Sequence, residues 1–336
     1  MRMLNDWFQN HKRDLPWRAD PTPYRVWISE VMLQQTRATV VIPYFEKWMR
    51  LFPDVATLAH ASLDAVIKAW EGLGYYSRAR NLHKGAQQIV ERFGGEIPST
   101  REELMSIQGL GPYTVNAILS FGFRKRAAPV DGNVTRVLAR FFAIEDNVCK
   151  QAVKRKIAQG AEALLTPDEP WVTAEALIEL GATICTPRPR CEICPLNKNC
   201  LGKERAHLLP IKNIEKELTQ LKRAVLWIEA VGKVLVKKGE PGKIMADLYE
   251  FPYFEMEELW PIQKIKKAIL AEFGLKPQVI GQGPQVTHTF TRYKATLFPF
   301  KFRLKTPQEI VGYEWVEQNN LSKLPFSSGH RRILHL

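Results

Sequence analysis

Between residues 4 and 184 the apolar positions recur at helical spacing. Leu4, Trp7, Phe8 and His11 mark a helix over residues 4–13. Leu15-Pro16-Trp17-Arg18 ends it, because the residue before a proline is driven out of the α region. Val26, Trp27, Val31 and Leu33, then Val40, Val41, Tyr44, Phe45 and Trp48, continue the pattern from 24 to 51; Pro43 marks either a break between two helices or a first-turn residue of the second. Further helices are expected at 55–60, 62–71, 77–93, 100–107, 112–122, 132–142, 150–165 and 171–184, separated by Gly72-Leu73-Gly74, Gly94-Gly95, Pro167 and Pro170. No fixed-period repeat runs through them. After Cys200 the pattern changes. Residues 203–220 are charged without an apolar face, as in a linker. Then come β-type runs, VLWIEAV, KVLVKK, FTRYKATLFPFKF and VGYEWV, with a helix at about 261–273 carrying Ile262, Ile265, Ile269 and Leu270. The chain is thus a helical array followed by an α+β domain of roughly 115 residues, an ordinary domain size.

One stretch of the array, LMSIQGLGPYTVNAILSFGFRKRAAPVDGN (104–133), has a distinct grammar. A helix runs into Gly109-Leu110-Gly111, and Pro112 opens the next, where its missing N–H costs nothing. Two glycines permit positive φ and a close backbone approach to another molecule. The expected product is a helix–hairpin–helix whose exposed N–H groups and positive dipole end suit a phosphate. An ordinary helical hairpin with a G-x-G turn is the plainer alternative.

Charge favours the first reading. Of 336 residues, 48 are Lys or Arg and 35 Asp or Glu, so the formal charge is +13, which favours a polyanionic partner. No apolar run approaches the ~20 residues that span a bilayer. The start, MRMLNDWFQNHKRDLPW, has charges where a signal peptide needs an apolar block, so an intracellular, cytoplasmic protein is expected, nucleoid-associated if bacterial. Cys185, Cys191, Cys194 and Cys200 give C-x5-C-x2-C-x5-C, which can hold a tetrahedral zinc or an iron–sulfur cluster and doubles as a structural staple. Arg188, Arg190, Lys198, Lys203 and Arg205 make its surroundings basic; Cys149 stands apart as a buried thiol.

Two carboxyls invite chemistry. Glu30 lies in VWISEVMLQQT, an otherwise apolar helix, and burial there would raise its pKa; the alternative is a surface Glu on a polar stripe. Asp131 suits an N-cap for the helix beginning near Val134, a role compatible with catalysis. Gln34 and Gln35 are either solvent-facing amides or donors that probe a base or the gap it leaves.

The hairpin, the loop ending in Asp131 and the four-cysteine loop together resemble the DNA glycosylase superfamily that includes endonuclease III. SEVMLQQT, GLGYYSRARNL, VDGNVTRVLAR and EALIELGATIC are similar to its adenine-removing branch, the MutY family, densely over about 5–205 and more loosely beyond. The resemblance implies a mainly α, two-lobed helix–hairpin–helix glycosylase fold with an iron–sulfur loop, plus a C-terminal α+β Nudix-like domain. Its parts would be a catalytic region 1–204 (a six-helix lobe of about 20–130 and a cluster lobe of 1–19 with 131–204), a linker 205–221 and a lesion-recognition domain 222–336. Where endonuclease III-like enzymes carry a Schiff-base lysine after the hairpin proline, this chain has Tyr113, so a monofunctional glycosylase is expected. Glu30 would protonate adenine, its pKa lifted from about 4.3 towards 6–7, worth roughly 2–4 kcal/mol. Asp131 would stabilise or trap the oxocarbenium-like sugar, and Asn133 and Tyr113 would orient the groups. By the same resemblance Trp17, Arg18, Leu33 and Glu175 form the pocket for the flipped adenine, Gln35 and Tyr75 wedge into the duplex with Gln34 beside them, and Gly109 and Gly111 face the backbone. Taken alone, Trp17 and Tyr75 could equally be core residues.

MADLYEFP (245–252) is similar to the G-L-W-E-F-P region of Nudix modules, with Asp247 at a usual glycine, while their glutamate-rich metal box is missing apart from Glu272-Phe273-Gly274-Leu275. Recognition of oxidised guanine without pyrophosphate hydrolysis is therefore implied. The family's Phe-Ser-His reading loop is here Phe290-Thr291-Arg292, and its six-residue first cysteine gap is here five, with Pro187 and Pro189. The implied cofactor is a [4Fe–4S] cluster, with zinc as the alternative; the implied partner is duplex DNA with adenine opposite 8-oxoguanine or guanine, bound by a monomer and without a membrane. The competing functions are a glycosylase/lyase of the endonuclease III type and a non-catalytic, cluster-bearing DNA-binding protein.

Overall fold

A computed structural model gives the structure, which describes residues 1–213, 219–240, 245–290 and 292–335. The chain divides into two compact units, Met1–Ala61 with Asn81–Glu215, and Ser62–Arg80 with Lys216–Leu336.

The first unit is helical. Its helices include Arg2–His11, Pro23–Leu33, Ala38–Leu51, Pro112–Ala117, Gly132–Phe141, Gln151–Leu164 and Pro170–Thr183. Several begin where the local chemistry directs. Thr22 accepts from Arg25 N–H at 3.3 Å with Pro23 in the first turn, and Asp54 accepts from Thr57 N–H at 2.7 Å. Packing supplies the rest of the stability: Trp27, Phe45, Trp48, Leu4, Ile28 and Met32 are fully buried. The helix Pro170–Thr183 is apolar on most of its faces, and both Arg2–His11 and Gly132–Phe141 lie against it. Among the described residues no helix is long and apolar enough to cross a membrane.

Three expectations need correction here. The break between helices falls at Gln34–Arg37, where Gln35 has φ +58°, and Pro43 sits in the second turn of Ala38–Leu51. Val41, Phe45 and Trp48 keep one face of that helix buried, which offsets the lost hydrogen bond. The helix expected over 112–122 is α-helical only to Ala117; Ile118–Gly122 widens into a π turn closed by Phe123 N–H donating to Ile118 O at 3.0 Å. Of the two hairpin glycines, only Gly109 has a positive φ (+86°); Gly111 is extended at φ −93°.

The second unit carries a mixed sheet. Strand β1 (Thr219–Ala230) pairs in parallel with β2 (Tyr293–Leu304), in register from Thr219/Tyr293 to Ala230/Leu304. The other pairings are antiparallel. Alternation along β1 fills both faces: Ala224, Leu226 and Ile228 meet Ile265 and Ile269 of the helix Ile262–Phe273, while Val225 and Trp227 meet Phe251, Phe326 and Ile333. The run FTRYKATLFPFKF is not one strand. Val286–Phe290 ends where β2 begins, with Phe290 and Tyr293 as cross-strand partners, so aromatic residues on both sides hid the turn. The linker is shorter than expected, because Thr219 N–H already donates to Arg292 O at 2.9 Å and Leu221 packs on the core. Asp247 adopts φ +62°, a left-handed conformation that glycine takes without strain.

Candidate active site

Glu30 lies in the middle of the Pro23–Leu33 helix and is 7% exposed. Burial pushes its carboxyl up to about 7; the Tyr113 hydroxyl, donating to Oε2 at 2.5 Å, pulls the other way, while the charges of Asp131 and Glu175 add to the rise and that of Arg18 opposes it. These five side chains therefore share one electrostatic environment. Tyr113 itself is held well above the ordinary phenol range by burial and by the two carboxyls.

Asp131 caps the Gly132–Phe141 helix. Its Oδ1 accepts from Val134 N–H at 2.7 Å and its Oδ2 from the Asn133 amide at 2.8 Å. Burial raises its pKa, whereas these donors and the Arg136 charge favour the ionised form. Arg136 donates to Asn133 Oδ1 at 2.9 Å and to Gly181 O at 2.8 Å, which fixes the amide from behind. The two helices meet closely here: a Cβ on Gly181 would lie 2.7 Å from Asn133 Cβ and 3.0 Å from its backbone.

A second layer of charge lies beside them. Arg18 Nε is 3.2 Å from Glu175 Oε2, and its other arm donates to Glu179 Oε2 at 2.9 Å. Glu179 is fully buried and also accepts from Arg13 Nε at 2.6 Å and from Arg13 Nη2 at 3.0 Å. Burial pushes Glu179 up, but the Arg13 hydrogen bonds and both guanidinium charges outweigh it and hold the carboxyl below its usual value. Burial raises Glu175, against the charges of Arg18, Arg124 and Lys12. Sequence reading missed Glu179, Arg13 and Arg136. The one available signal was an acidic residue inside the apolar segment ALIELGA, the same signal that marks Glu30.

The other expected residues fall as follows. Trp17 is buried edge-to-face on Phe45 at 5.5 Å, so its ring is a wall of the core. Leu33 is half-buried, and Gln34 Nε2 donates to Thr114 Oγ1 at 3.4 Å. Gln35 is exposed. Gly109 packs where a Cβ would lie 2.5 Å from Asn81 Cβ, while one on Gly111 would meet open space. In the second unit, Tyr75 is 46% exposed with φ +49°. Phe290 stacks on His288 at 5.0 Å, and the Arg292 guanidinium donates to the Tyr293 hydroxyl at 3.1 and 3.2 Å. Thr291 lies outside the described residues.

Cys185, Cys191, Cys194 and Cys200 line one hollow of about 320 Å³, its open mouth included, with Arg140, Arg190 and Lys203. Arg140 is 2% exposed and ties the loop to the chain that follows, donating to Cys185 Sγ at 3.3 Å, Thr186 O at 2.6 Å and Leu209 O at 2.9 Å.

A glycine-turned hairpin beside one buried and one half-buried carboxyl, on this helical frame, defines a class. The profile of the HhH-GPD superfamily base excision DNA repair proteins matches residues 28–163, and that of the NUDIX domain matches 223–336. A human protein named adenine DNA glycosylase is 33% identical, the match covering 99% of this chain and 73% of its own. Its namesake from Buchnera aphidicola subsp. Acyrthosiphon pisum is 35% identical over 76% of this chain and 74% of its own. A solved structure of a thermostable thymine-DNA glycosylase is 28% identical, with a TM-score of 0.56 over 61% of this chain and 94% of its own. The chain belongs to the adenine DNA glycosylase family.

Proposed function

We propose that the protein acts on duplex DNA and excises adenine opposite 8-oxoguanine or guanine, as a monomeric, monofunctional glycosylase. The observation that carries this reading is the buried Glu30, hydrogen-bonded to Tyr113 and coupled to Asp131. Adenine leaves readily only once a ring nitrogen is protonated. An acid titrating near 7 has a proton to give at neutral pH and becomes a base able to take one from water afterwards. Asp131, with both oxygens held by donors, suits the role of a carboxylate that stabilises or covalently traps the oxocarbenium-like sugar. Tyr113 offers a phenol where an imine-forming enzyme needs an amine, which supports base release without strand cleavage.

Arg18, fixed by Glu175 and Glu179, supports a binding role towards the extruded base, with Trp17 and Leu33 as apolar wall. Extrusion costs a few kcal/mol. Gln35 and Tyr75 are both exposed in left-handed backbone conformations, a strain that gathers at functional positions, and we assign them to the gap in the helix. Stacking on Tyr75 would return about 1–3 kcal/mol. Gly109 and Gly111 would bring backbone N–H groups to a phosphate. Phe290, Thr291 and Arg292 would face the oxidised guanine.

The cysteines would hold a [4Fe–4S] cluster. All four line a single hollow whose cations offset the charge of a thiolate-bound cluster. Four thiolates could also take a single tetrahedral zinc, and metal and sulfide content decides between the two. When bound, the cluster supplies a cross-link that stiffens the loop.

Single-turnover assays on duplexes with adenine opposite 8-oxoguanine test the proposal. Alkali-labile sites are expected, and none from Glu30→Gln or Asp131→Asn. Strand cleavage without alkali, trapped by borohydride on a lysine, would sink the monofunctional reading; duplex binding with no base release would sink the enzyme.

A further inference from the structure

Tyr75 stands on a turn built with unusual care. Trp70 Nε1 donates to Gly74 O at 3.1 Å, and Gly72 N–H donates to the Tyr76 hydroxyl at 3.2 Å. Arg78, 8% exposed, donates to Leu73 O and Gly74 O, both at 3.1 Å, with its guanidinium over the rings of Trp70 and Tyr75. A half-exposed aromatic at positive φ is thus held rigidly. What anchors the turn lies beyond it in the chain. On its N-terminal side Glu71 accepts from Arg331 Nε at 2.7 Å, from Phe326 N–H at 3.0 Å and from Lys68 Nζ at 2.7 Å. Lys68 reaches on to Ser322 O at 2.7 Å. On the C-terminal side Arg80 donates to Ala246 O at 3.0 Å and to Asp247 Oδ2 at 3.3 Å. Both Glu71 and Arg331 are mostly shielded, with side chains 17% and 20% exposed, so the pair is not a solvent-screened surface contact.

We propose that Arg331 and Asp247 clamp the Tyr75 turn from its two ends, and that Glu71 is a positioning residue for the insertion of Tyr75 into the duplex. The proposal rests on the reading of Tyr75 given above and adds what sets its place: the domain that would recognise the lesion also holds the wedge. Recognition and insertion are then mechanically one step. A side chain that had to be ordered on binding would lose part of its stacking energy to that ordering, and the clamp has ordered it beforehand.

The test uses the full chain with Glu71→Ala, Arg331→Met, their combination, and Glu71→Gln, which keeps an acceptor for Phe326 N–H. Amide hydrogen exchange over residues 72–80, without DNA, reads the clamp itself. Exchange about tenfold faster is expected in each truncating variant, no faster in the pair than in either single, and intermediate in Glu71→Gln. With DNA, 2-aminopurine placed beside 8-oxoguanine, opposite an uncleavable adenine analogue, reads insertion; its fluorescence rise is expected to fall several-fold in the same order. Unchanged exchange overturns the clamp. Faster exchange with an unchanged fluorescence rise and unchanged excision overturns the positioning role. A wild-type protein that releases no adenine defeats the functional proposal alone, and the exchange data still decide the clamp.

Discussion

Replacing Glu30 by Gln should destroy activity and strengthen the fold, and the second effect has a definite dependence on pH. In the folded chain the carboxyl titrates at about 7 because it is buried, against a reference value of 4.5. That displacement corresponds to about 3 kcal/mol. Between those two values the folded chain keeps a proton that the unfolded chain has released, so stability falls as pH rises, and above pH 7 the whole penalty is present. Gln carries no such penalty and can still accept from the Tyr113 hydroxyl. The variant should therefore gain about 3 kcal/mol on wild type at pH 8, and under about 1 kcal/mol at pH 5. For a helical unit of this size each kcal/mol moves the melting midpoint by about 2–4 °C, so calorimetry at the two pH values resolves the difference. The rate supplies an independent check. If protonated Glu30 is the acid, single-turnover excision by wild type should level off below pH 7 until Asp131 takes a proton, and should fall about tenfold for each pH unit above 8. A midpoint gain equal at pH 5 and pH 8, together with a rate that holds to pH 9, would refute the assignment of a proton to Glu30.

Tyr113→Phe removes the hydrogen bond that favours ionised Glu30, so the alkaline limb of the rate profile should move to higher pH; a limb that stays put shows that the phenol does not tune the acid. Glu179→Gln removes the carboxylate shared by Arg13 and Arg18, leaving Arg18 only Glu175, and should cost about 1–3 kcal/mol in urea unfolding, with weaker binding of adenine-containing duplex. Gly181→Ala drives a methyl into Asn133 and should destabilise by about 1–3 kcal/mol while slowing excision, because Asp131 caps the helix that carries Asn133; a lowered melting midpoint without a change in rate would uncouple the two. Purified protein should contain four iron and four inorganic sulfide per chain, about one cluster, and Cys194→Ser should lose both; stoichiometric zinc in their place would mean the thiols serve a single ion.

Much of the helical unit was legible because its signals are local. Asp131 announces a helix start by side-chain chemistry that needs no tertiary partner, and the apolar spacing around Trp27 and Trp48 needs only a period. Glu30 and Asp131 stood out as carboxyls in the wrong company. Glu179 had the same mark but was eclipsed, since its meaning depends on Arg13 and Arg18 far upstream. Pattern reading failed where two features coincide. The strand-forming residues on either side of the Phe290/Tyr293 pair ran together into one apparent strand, and Pro43 drew attention from the true break at Gln35. Residues 62–71 and 77–80 have ordinary helical spacing, so nothing in their pattern reveals that Glu71 and Arg80 answer to Arg331 and Asp247.

Arg13 and Arg18 close their ion pairs with a residue more than 160 positions later, on the helix Pro170–Thr183. During synthesis at about 5–20 residues per second, the early arginines wait roughly 8–30 s before their countercharge leaves the ribosome. Until then both guanidinium groups lack that buried carboxylate, and a nascent chain stalled short of that helix carries Glu30 without the packed frame around it.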